Sequence, residues 1–390
     1  MAANPQIPGD WKNRRDRFRA YMKAFNPTAR AQEALDLQLV TPELHDSVFQ
    51  KIAARAEIEP GSQQVLLGGI GSGKTTELLL TERALRDRKL QPIYIEASRY
   101  TDLAEAGPGS LVAMLGLELI ERTKGDKDAQ QAAKRVKAFA NGEWVRGDWE
   151  PPDFDDGSVY LQGKLTSPLP VAVREVHTIK GSLSQLLEAC RSGGEVVALF
   201  DDLDRLPDGG RFTNTVAPDL GLLKHLEISV VTVAPWSMRY EPGARLAEQF
   251  DKVHELRTEA DDKRDEKLRS TLAKRDTLNL LSADAVPHIC RVSGGVIRDL
   301  ITLARDAGEE AYVDDSESIG RNHIAKASED LGQSYSRGLS LSQINLLRDW
   351  KPATFDPTKP EMLDLLTSRR VLERANKTFQ VHPALVSVLQ

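Results

Sequence analysis

The sequence predicts an α/β fold: a three-layer sandwich with a parallel sheet between helices, followed by a helical part and a terminal module of helices and a hairpin. Three observations carry this. Short β-rich runs at 65–67, 92–96, 196–200 and 228–234 alternate with helical stretches, the signature of parallel strands covered on both faces. A glycine-rich turn, Gly68 to Thr76, joins the first run to a helix. From about residue 259 the apolar spacing becomes helical, and only near the end do two short strand-like runs return.

Composition narrows the classes. The 390 residues are 40% hydrophobic and 28% charged, as in a soluble globular protein large enough for two or three domains. A formal charge of -6 argues against a surface that binds nucleic acid throughout, while leaving room for local basic patches. The two cysteines, Cys190 and Cys290, form no C-x-x-C pair and sit in apolar helical patterns, so core positions are expected rather than a disulfide or zinc framework. No apolar run reaches the ~18 to 20 residues of a membrane span and no signal-peptide pattern opens the chain, so the expected location is the cytoplasm, with no membrane partner.

The N-terminal residues Lys12, Arg14, Arg15, Arg17, Arg19 and Lys23 are interleaved with Trp11, Phe18, Tyr21 and Phe25. Such a helix either touches a phosphate backbone or packs as an amphipathic arm on its own domain or a neighbouring subunit; the pattern allows both. Thr41-Pro42 opens the next helix as N-cap and first residue.

The first strand then runs into Gly68-Gly69-Ile70-Gly71-Ser72-Gly73-Lys74-Thr75-Thr76, with the spacing G-x-x-x-x-G-K-[ST] between strand and helix. Glycines let the backbone turn its N–H groups inward at the positive end of a helix dipole, where triphosphate oxygens can be held. Gly68, Gly69, Gly71, Ser72, Gly73, Lys74, Thr75 and Thr76 are therefore the expected nucleotide-binding residues. Lys74 supplies a point charge for the β and γ phosphates, and the Thr75 hydroxyl is placed to ligate Mg2+. An incidental glycine-rich turn is the competing reading, disfavoured by the strand and helix on either side.

A second strand is expected at 92–96 and a helix from Ser110. Between about 123 and 179 the rhythm breaks: a charged helix near 127–139, Trp144, Trp149, the acidic Asp153, Asp155 and Asp156, and strand-like pieces at 159–161 and 171–176. A break of this length reads as an insertion serving a partner or acting as a lid. The three aspartates read as an acidic loop tip rather than a metal site.

After a helix at 181–191, the run 196–204 ends a central strand in Asp201, Asp202 and Asp204. Asp201 is the expected magnesium ligand, and Asp202 the residue that orients or deprotonates the attacking water. A helix at 220–226 leads to the strand 228–234, where Thr232 can place a hydroxyl beside the γ-phosphate, although β-propensity alone also explains a threonine there. A short strand at 253–256 closes the sheet. Helices follow at 261–275, from Ser282, and around Ile297 to Ala304, with Arg298 one turn into the last. The segment from 322 reads as three helices, a hairpin around Ala375-Asn376-Lys377, and a helix opened by His382-Pro383, which is a winged-helix pattern.

From about Ala31 onward these features together resemble the AAA+ P-loop ATPases, and within them the branch shared by origin-recognition-type initiators and STAND signalling NTPases. The resemblance rests on Gly68 to Thr76 as Walker A, Leu199 to Leu206 as Walker B, Thr232 as sensor 1, Gly295-Val296-Ile297-Arg298 as the G-x-x-R of sensor 2, and the winged helix. It implies ATP and Mg2+ as ligands, a Walker B strand neighbouring the phosphate-loop strand, and a helical lid whose Arg298 reaches the γ-phosphate. Without it, Arg298 is an exposed helix arginine. The implied division is a basic arm at 1–30, an ATPase core at 31–258 with its insertion at about 123–179, a lid at 259–320 and a winged helix at 321–390.

Two departures bear on rate. Asp202 stands where AAA+ proteins usually carry glutamate, and the place of the trans arginine finger reads Gln249-Phe250-Asp251-Lys252, with Arg239 and Arg245 further upstream. The expected function is a slowly hydrolysing ATP switch, with Lys74, Asp202, Thr232 and Arg298 as the catalytic set, controlling its own assembly or a partner. By resemblance to the STAND branch, an effector or sensor protein supplies the remaining activity, as in multi-gene bacterial defence systems, or the chain forms a homo-oligomer. Two alternatives stand beside it: a DNA-binding initiator, loader or regulator using Arg369 and Arg370 of the winged helix or the N-terminal arm, and a structural subunit that binds nucleotide only for stability.

Overall fold

The apolar runs read as strands pair side by side, and the amphipathic stretches between them become the covering helices. The computed structural model describes residues 13–27, 31–40, 48–124, 126, 129–141, 173–190, 193–206, 208–240, 246–256, 261–374 and 376–390. In chain order the elements begin α1 (Arg14–Ala24), α2 (Ala31–Asp36), α3 (Val48–Ile58), β1 (Gln63–Gly68), α4 (Lys74–Asp87), β2 (Gln91–Glu96), α5 (Ser110–Arg122), α6 (Gln130–Ala140), α7 (Lys180–Cys190) and β3 (Val196–Asp201). They continue with α8 (Gly209–His225), β4 (Ser229–Ala234), α9 (Leu246–Gln249), β5 (Lys252–Leu256), α10 (Asp261–Arg275), α11 (Ala285–Val292) and α12 (Ile297–Val313). The last are α13 (Arg321–Ser336), α14 (Leu341–Arg348), α15 (Pro360–Thr367), β6 (Val371–Glu373), β7 (Phe379–Val381) and α16 (Pro383–Leu389).

The contacts divide the chain into two compact units: a sheet unit of 47–68 and 74–255, and a helical unit of 1–46, 69–73 and 256–390. In the sheet unit the strand order is β2-β3-β4-β1-β5, with β1, β2, β3 and β4 paired in parallel. Every residue of β1, β3 and β4 is buried, as in strands covered on both faces. This is the α/β P-loop NTPase fold, with a helical C-terminal part.

The strand order corrects one expectation. The strand that ends in Asp201 does not neighbour β1; β4 lies between them, with Thr232 opposite Val65 on one side and Phe200 on the other. Every residue of β4 is buried, so it suits the sheet's centre better than the shorter, half-exposed β5.

A second correction concerns the strand-like piece at 171–176, of which residues 171 and 172 lie outside the described residues. Val173–Ile179 is a 3-10 helix, with Val176 and Ile179 buried, so packing overrides the β-propensity of the valines. The charged helix expected near 127–139 is α6, whose Val136 lies against the space beside Gly116 of α5: a Cβ there would come 2.4 Å from Val136 Cγ1. Trp144, Trp149, Asp153, Asp155, Asp156, the run 159–161 and the Thr41-Pro42 cap lie outside the described residues.

The helix expected at 220–226 is longer. It opens at Gly209 under the side-chain cap of Asp208 and passes through Pro218. Asp219, fully buried, accepts hydrogen bonds from the amides of Gly109 (2.6 Å), Leu111 (2.8 Å) and Val112 (3.2 Å), capping α5, whose own N-cap glycine has no side chain to do so.

In the helical unit, α1 bears on the readings left open for the N-terminal residues. Phe18, Tyr21 and Phe25 join one core with Leu300, Leu303, Ala304 and Ala307 of α12. Arg14 donates to the Ala311, Tyr312 and Ser316 carbonyls, and Arg17 pairs with Glu317 at 3.0 Å. The arm reading describes Arg14 and Arg17, held within the unit beside an apolar face that has to be buried; Arg15 and Arg19 stay exposed beside Asp16, and Lys12 lies outside the described residues. Among the described residues no helix is long and apolar enough to cross a membrane.

Candidate functional site

Gly68 ends β1, and Lys74, Thr75 and Thr76 open α4, whose first amides have no partner within the helix. In the turn between them the amide of Ser72 donates to the Gly69 carbonyl (3.1 Å). Gly71 and Gly73 hold φ of +74° and +99°, the left-handed region that glycine enters without strain. A Cβ on Gly69 or Gly73 would meet nothing within 4 Å, so these positions border open space. Gly71 is crowded as well: a Cβ there would lie 2.9 Å from Arg298 Cβ and 3.3 Å from Val296 Cγ1.

Lys74 is buried. Its ammonium donates to the Gly68 carbonyl at 2.6 Å and pairs with Asp204 at 2.9 Å. Asp201, at the end of β3, is buried and hydrogen-bonded by Thr75. Its Oδ2 accepts from the Tyr94 hydroxyl at 2.7 Å, and its Oδ1 from the Asp202 amide at 2.8 Å. Burial pushes this carboxyl up; the bonds from Tyr94, Asp202 and Thr75 oppose that push without cancelling it. Burial and the neighbouring carboxylate drive the Tyr94 phenol far upward, so it remains a donor.

Asp202 stands at φ +69°, an uncommon conformation for a residue with a side chain. It accepts from the Ser98 hydroxyl and pairs with Arg205 at 3.0 Å. Thr232 is fully buried in β4, and its hydroxyl has no hydrogen-bond partner among the described residues. In the helical unit Arg298 is exposed, the second residue of α12, after a turn made by Gly294 (φ +63°) and Gly295 (φ +87°).

Beside Arg298, Asp299 is buried and collects three partners. Arg369 reaches Oδ1 at 2.7 Å, the Tyr335 hydroxyl donates to Oδ2 at 2.7 Å, and His382 Nε2 lies 3.2 Å from Oδ2. Because His382 Nδ1 accepts from the Ala384 amide, the ring proton belongs on Nε2, facing the carboxylate. Burial alone would raise the Asp299 carboxyl, but His382, Arg369 and Tyr335 together hold it below its usual range. Arg370 donates to the Tyr335 and Arg337 carbonyls at 2.7 and 2.6 Å. The expectation that Arg369 and Arg370 stand ready for DNA phosphates is therefore corrected: a buried carboxylate and two carbonyls hold them.

Arg239 stacks on Trp236 and Tyr240 and lies 3.5 Å from Glu255, which commits it within the sheet unit; Arg245 lies outside the described residues.

The residues present suit a nucleotide and a hard cation. Open space borders Gly69 and Gly73, and the buried Ser72 hydroxyl has no partner among the described residues. Thr75 and Asp201 offer an oxygen pair of the kind Mg2+ takes, with phosphate and water filling the rest of its shell. Among the described residues no three His, Cys, Asp or Glu side chains gather to hold a metal unaided. Sequence reasoning missed Tyr94, Ser98 and the pairing of Asp204 with Lys74. Asp204 stood in the acidic run already noticed; Tyr94 and Ser98 carried no signal short of the register that sets Glu96 opposite Asp201.

No family model matches the chain, and no curated protein sequence matches it. Among solved structures it is similar to the ORC2 protein of Aeropyrum pernix in its ADPNP-ADP complexes, at 14% identity and TM-score 0.48, over 94% of this chain and 96% of that one. It is also similar to a chain of Drosophila ORC bound to DNA, at 14% identity and TM-score 0.46, over 89% and 75%. The RuvB Holliday junction branch migration motor of Thermotoga maritima follows at 13% identity and TM-score 0.43, over 88% and 94%.

Proposed function

We propose that the chain binds ATP with Mg2+ on the Gly68–Thr76 loop and hydrolyses it slowly, as an AAA+ type switch. One observation carries the reading: Thr75, at the start of α4, bonds Asp201 at the end of β3, while Lys74 is held against Asp204 and Asp201 is oriented by Tyr94. Here Lys74 would neutralise phosphate charge, and Thr75 with Asp201 would hold Mg2+, which when bound would supply charge stabilisation at the γ-phosphate. Asp202, fixed by Ser98 and Arg205, orients the attacking water. Thr232 and Arg298 serve as the two sensors, and Arg298 passes the difference between ATP and ADP to α12.

Lys74→Ala is expected to lower ATP turnover by at least about 100-fold, the order of loss when a transition-state cation or donor is removed. Steady-state phosphate release checks this, and binding of a fluorescent ATP analogue separates loss of affinity from loss of chemistry. Unchanged turnover in the variant sinks the reading, and ATP binding without turnover in the parent chain reduces it to the structural role.

The DNA-binding reading of winged-helix type, as in the initiators, is second. It is favoured by Lys377, exposed at the tip of the β6–β7 hairpin, and by the exposed Arg15 and Arg19, while Arg369 and Arg370 are committed elsewhere. Salt-dependent affinity for duplex DNA, lost in Lys377→Ala, would support it. The narrower STAND and defence-signalling reading rests on resemblance alone, as do a homo-oligomer and an effector partner.

A further inference from the structure

The helical unit holds a concave site away from the glycine loop. A cleft of about 750 Å³ is lined by Arg269 of α10, Arg291 of α11, Arg321 of α13 and Arg374 after β6, with Asp265 and Asp284 among them. Its size falls in the range of small-molecule sites. Guanidinium groups from four separate elements, set against two carboxylates, leave the cleft positive. Bringing like charges together in this way is unfavourable unless an anion shares the space.

Arg269 and Arg321 are exposed and take part in no ion pair among the described residues. Among the described residues Arg291 is anchored only to His288 Nδ1, at 2.7 Å. Arg374 is aimed by the hairpin, donating to Gln380 Oε1 (2.9 Å) and to the Gly294 carbonyl (2.8 Å). Pro287 and the half-exposed Val386 add an apolar wall on which a flat ring can rest.

We propose that this cleft binds a small polyphosphorylated molecule of nucleotide size, its phosphates taken by the arginines and its polar edge by Asp265 or Asp284. The guanidinium fork matches phosphate oxygens two at a time. The same two carboxylates, on a chain of net charge -6, oppose a continuous phosphate backbone. Because Arg374 also holds Gly294, four residues before Arg298, a ligand that engages Arg374 bears on the turn leading into α12.

The test uses the full chain carrying Lys74→Ala, so that the glycine loop does not compete, and titrates inorganic tripolyphosphate by calorimetry at low salt. One binding event is expected, weakened at least about tenfold by Arg291→Gln/Arg321→Gln through the loss of charge-assisted hydrogen bonds. Both side chains are exposed, so the melting temperature without ligand should be unchanged; if it falls, Arg269→Gln alone is read instead. No binding up to about 1 mM, where affinity is near the weak limit of useful recognition, overturns the proposal. So does binding that the arginine substitutions leave unchanged, or a loss confined to duplex DNA. Failure of the parent chain to bind ATP would sink the nucleotide reading and leave this outcome untouched.

Discussion

Asp201 shows how one hydrogen bond tunes the site. Burial raises its carboxyl and Tyr94 lowers it, so Tyr94→Phe should let it rise further. The acid limb of the pH–turnover profile is then expected to move to higher pH, with a smaller change on the alkaline side. A profile that falls in height without moving would mean that Tyr94 only packs. His254 gives a second pH dependence. Buried beside Gln64 (2.9 Å), it has its pKa pushed down to about 4 by burial and by nearby Lys252 and Arg55. A depressed histidine disfavours protons in the folded state, so its contribution is present above the ordinary value near 6.5 and is lost as pH falls through the window down to about 4. The loss amounts to about 3 kcal/mol at most. His254→Gln should flatten denaturation midpoints measured between pH 7 and pH 4.5, and an unaltered slope would count against it. Lys74, Thr75 and Asp201 could be found in the sequence because loop spacing and strand ends are covalently local. Tyr94, Ser98 and His254 could not, because their roles depend on partners that only the strand pairing brings near.

The elements repeat that lesson. Spacing marked α1 as amphipathic through Phe18, Tyr21 and Phe25, yet gave no sign of the surface it buries against. That surface is α12, where the Tyr21 hydroxyl donates to the Ala304 carbonyl at 3.0 Å and its ring lies over Gly308. A Cβ at Gly308 would stand 2.8 Å from the ring, so glycine here serves close approach. Gly308→Leu is expected to cost about 1–3 kcal/mol by overpacking and to loosen α1. Faster hydrogen exchange in α1 would report it; full protection would place the helix on some other support. α8 was under-read for a related reason. Gly209-Gly210 and Pro218 look like breakers, but the Asp208 cap and a fully buried inner face outweigh them. Likewise nothing in the sequence says that β4 separates β1 from β3, because strand order is not a local property.

The division of the molecule into a sheet unit and a helical unit was only partly legible. The change of apolar period near residue 259 is the one sign of a boundary in the sequence, and the contacts divide the chain between 255 and 256. That α1, α2 and the loop residues 69–73 cluster with the helical unit has no counterpart in composition, because it depends on contacts between distant parts of the chain, such as that of Tyr21 with Ala304. Inside that unit Asp299 is the joint. It lies one residue after Arg298, on α12, and binds Arg369, Tyr335 and His382, which come from three later parts of the chain. Asp299→Ala would leave a partly buried guanidinium and a buried imidazole without their carboxylate partner. A broken buried pair costs about 3–5 kcal/mol, most of it the penalty on the stranded charge. Asp299→Asn, which can still bond Tyr335, should cost less. Calorimetric melting and hydrogen exchange in α12, α13 and α16 measure both, with the alanine variant expected to lose protection there first. If both variants melt like the parent, the carboxylate adds no net stability, and any signal from Arg298 to the hairpin and α16 must take another route.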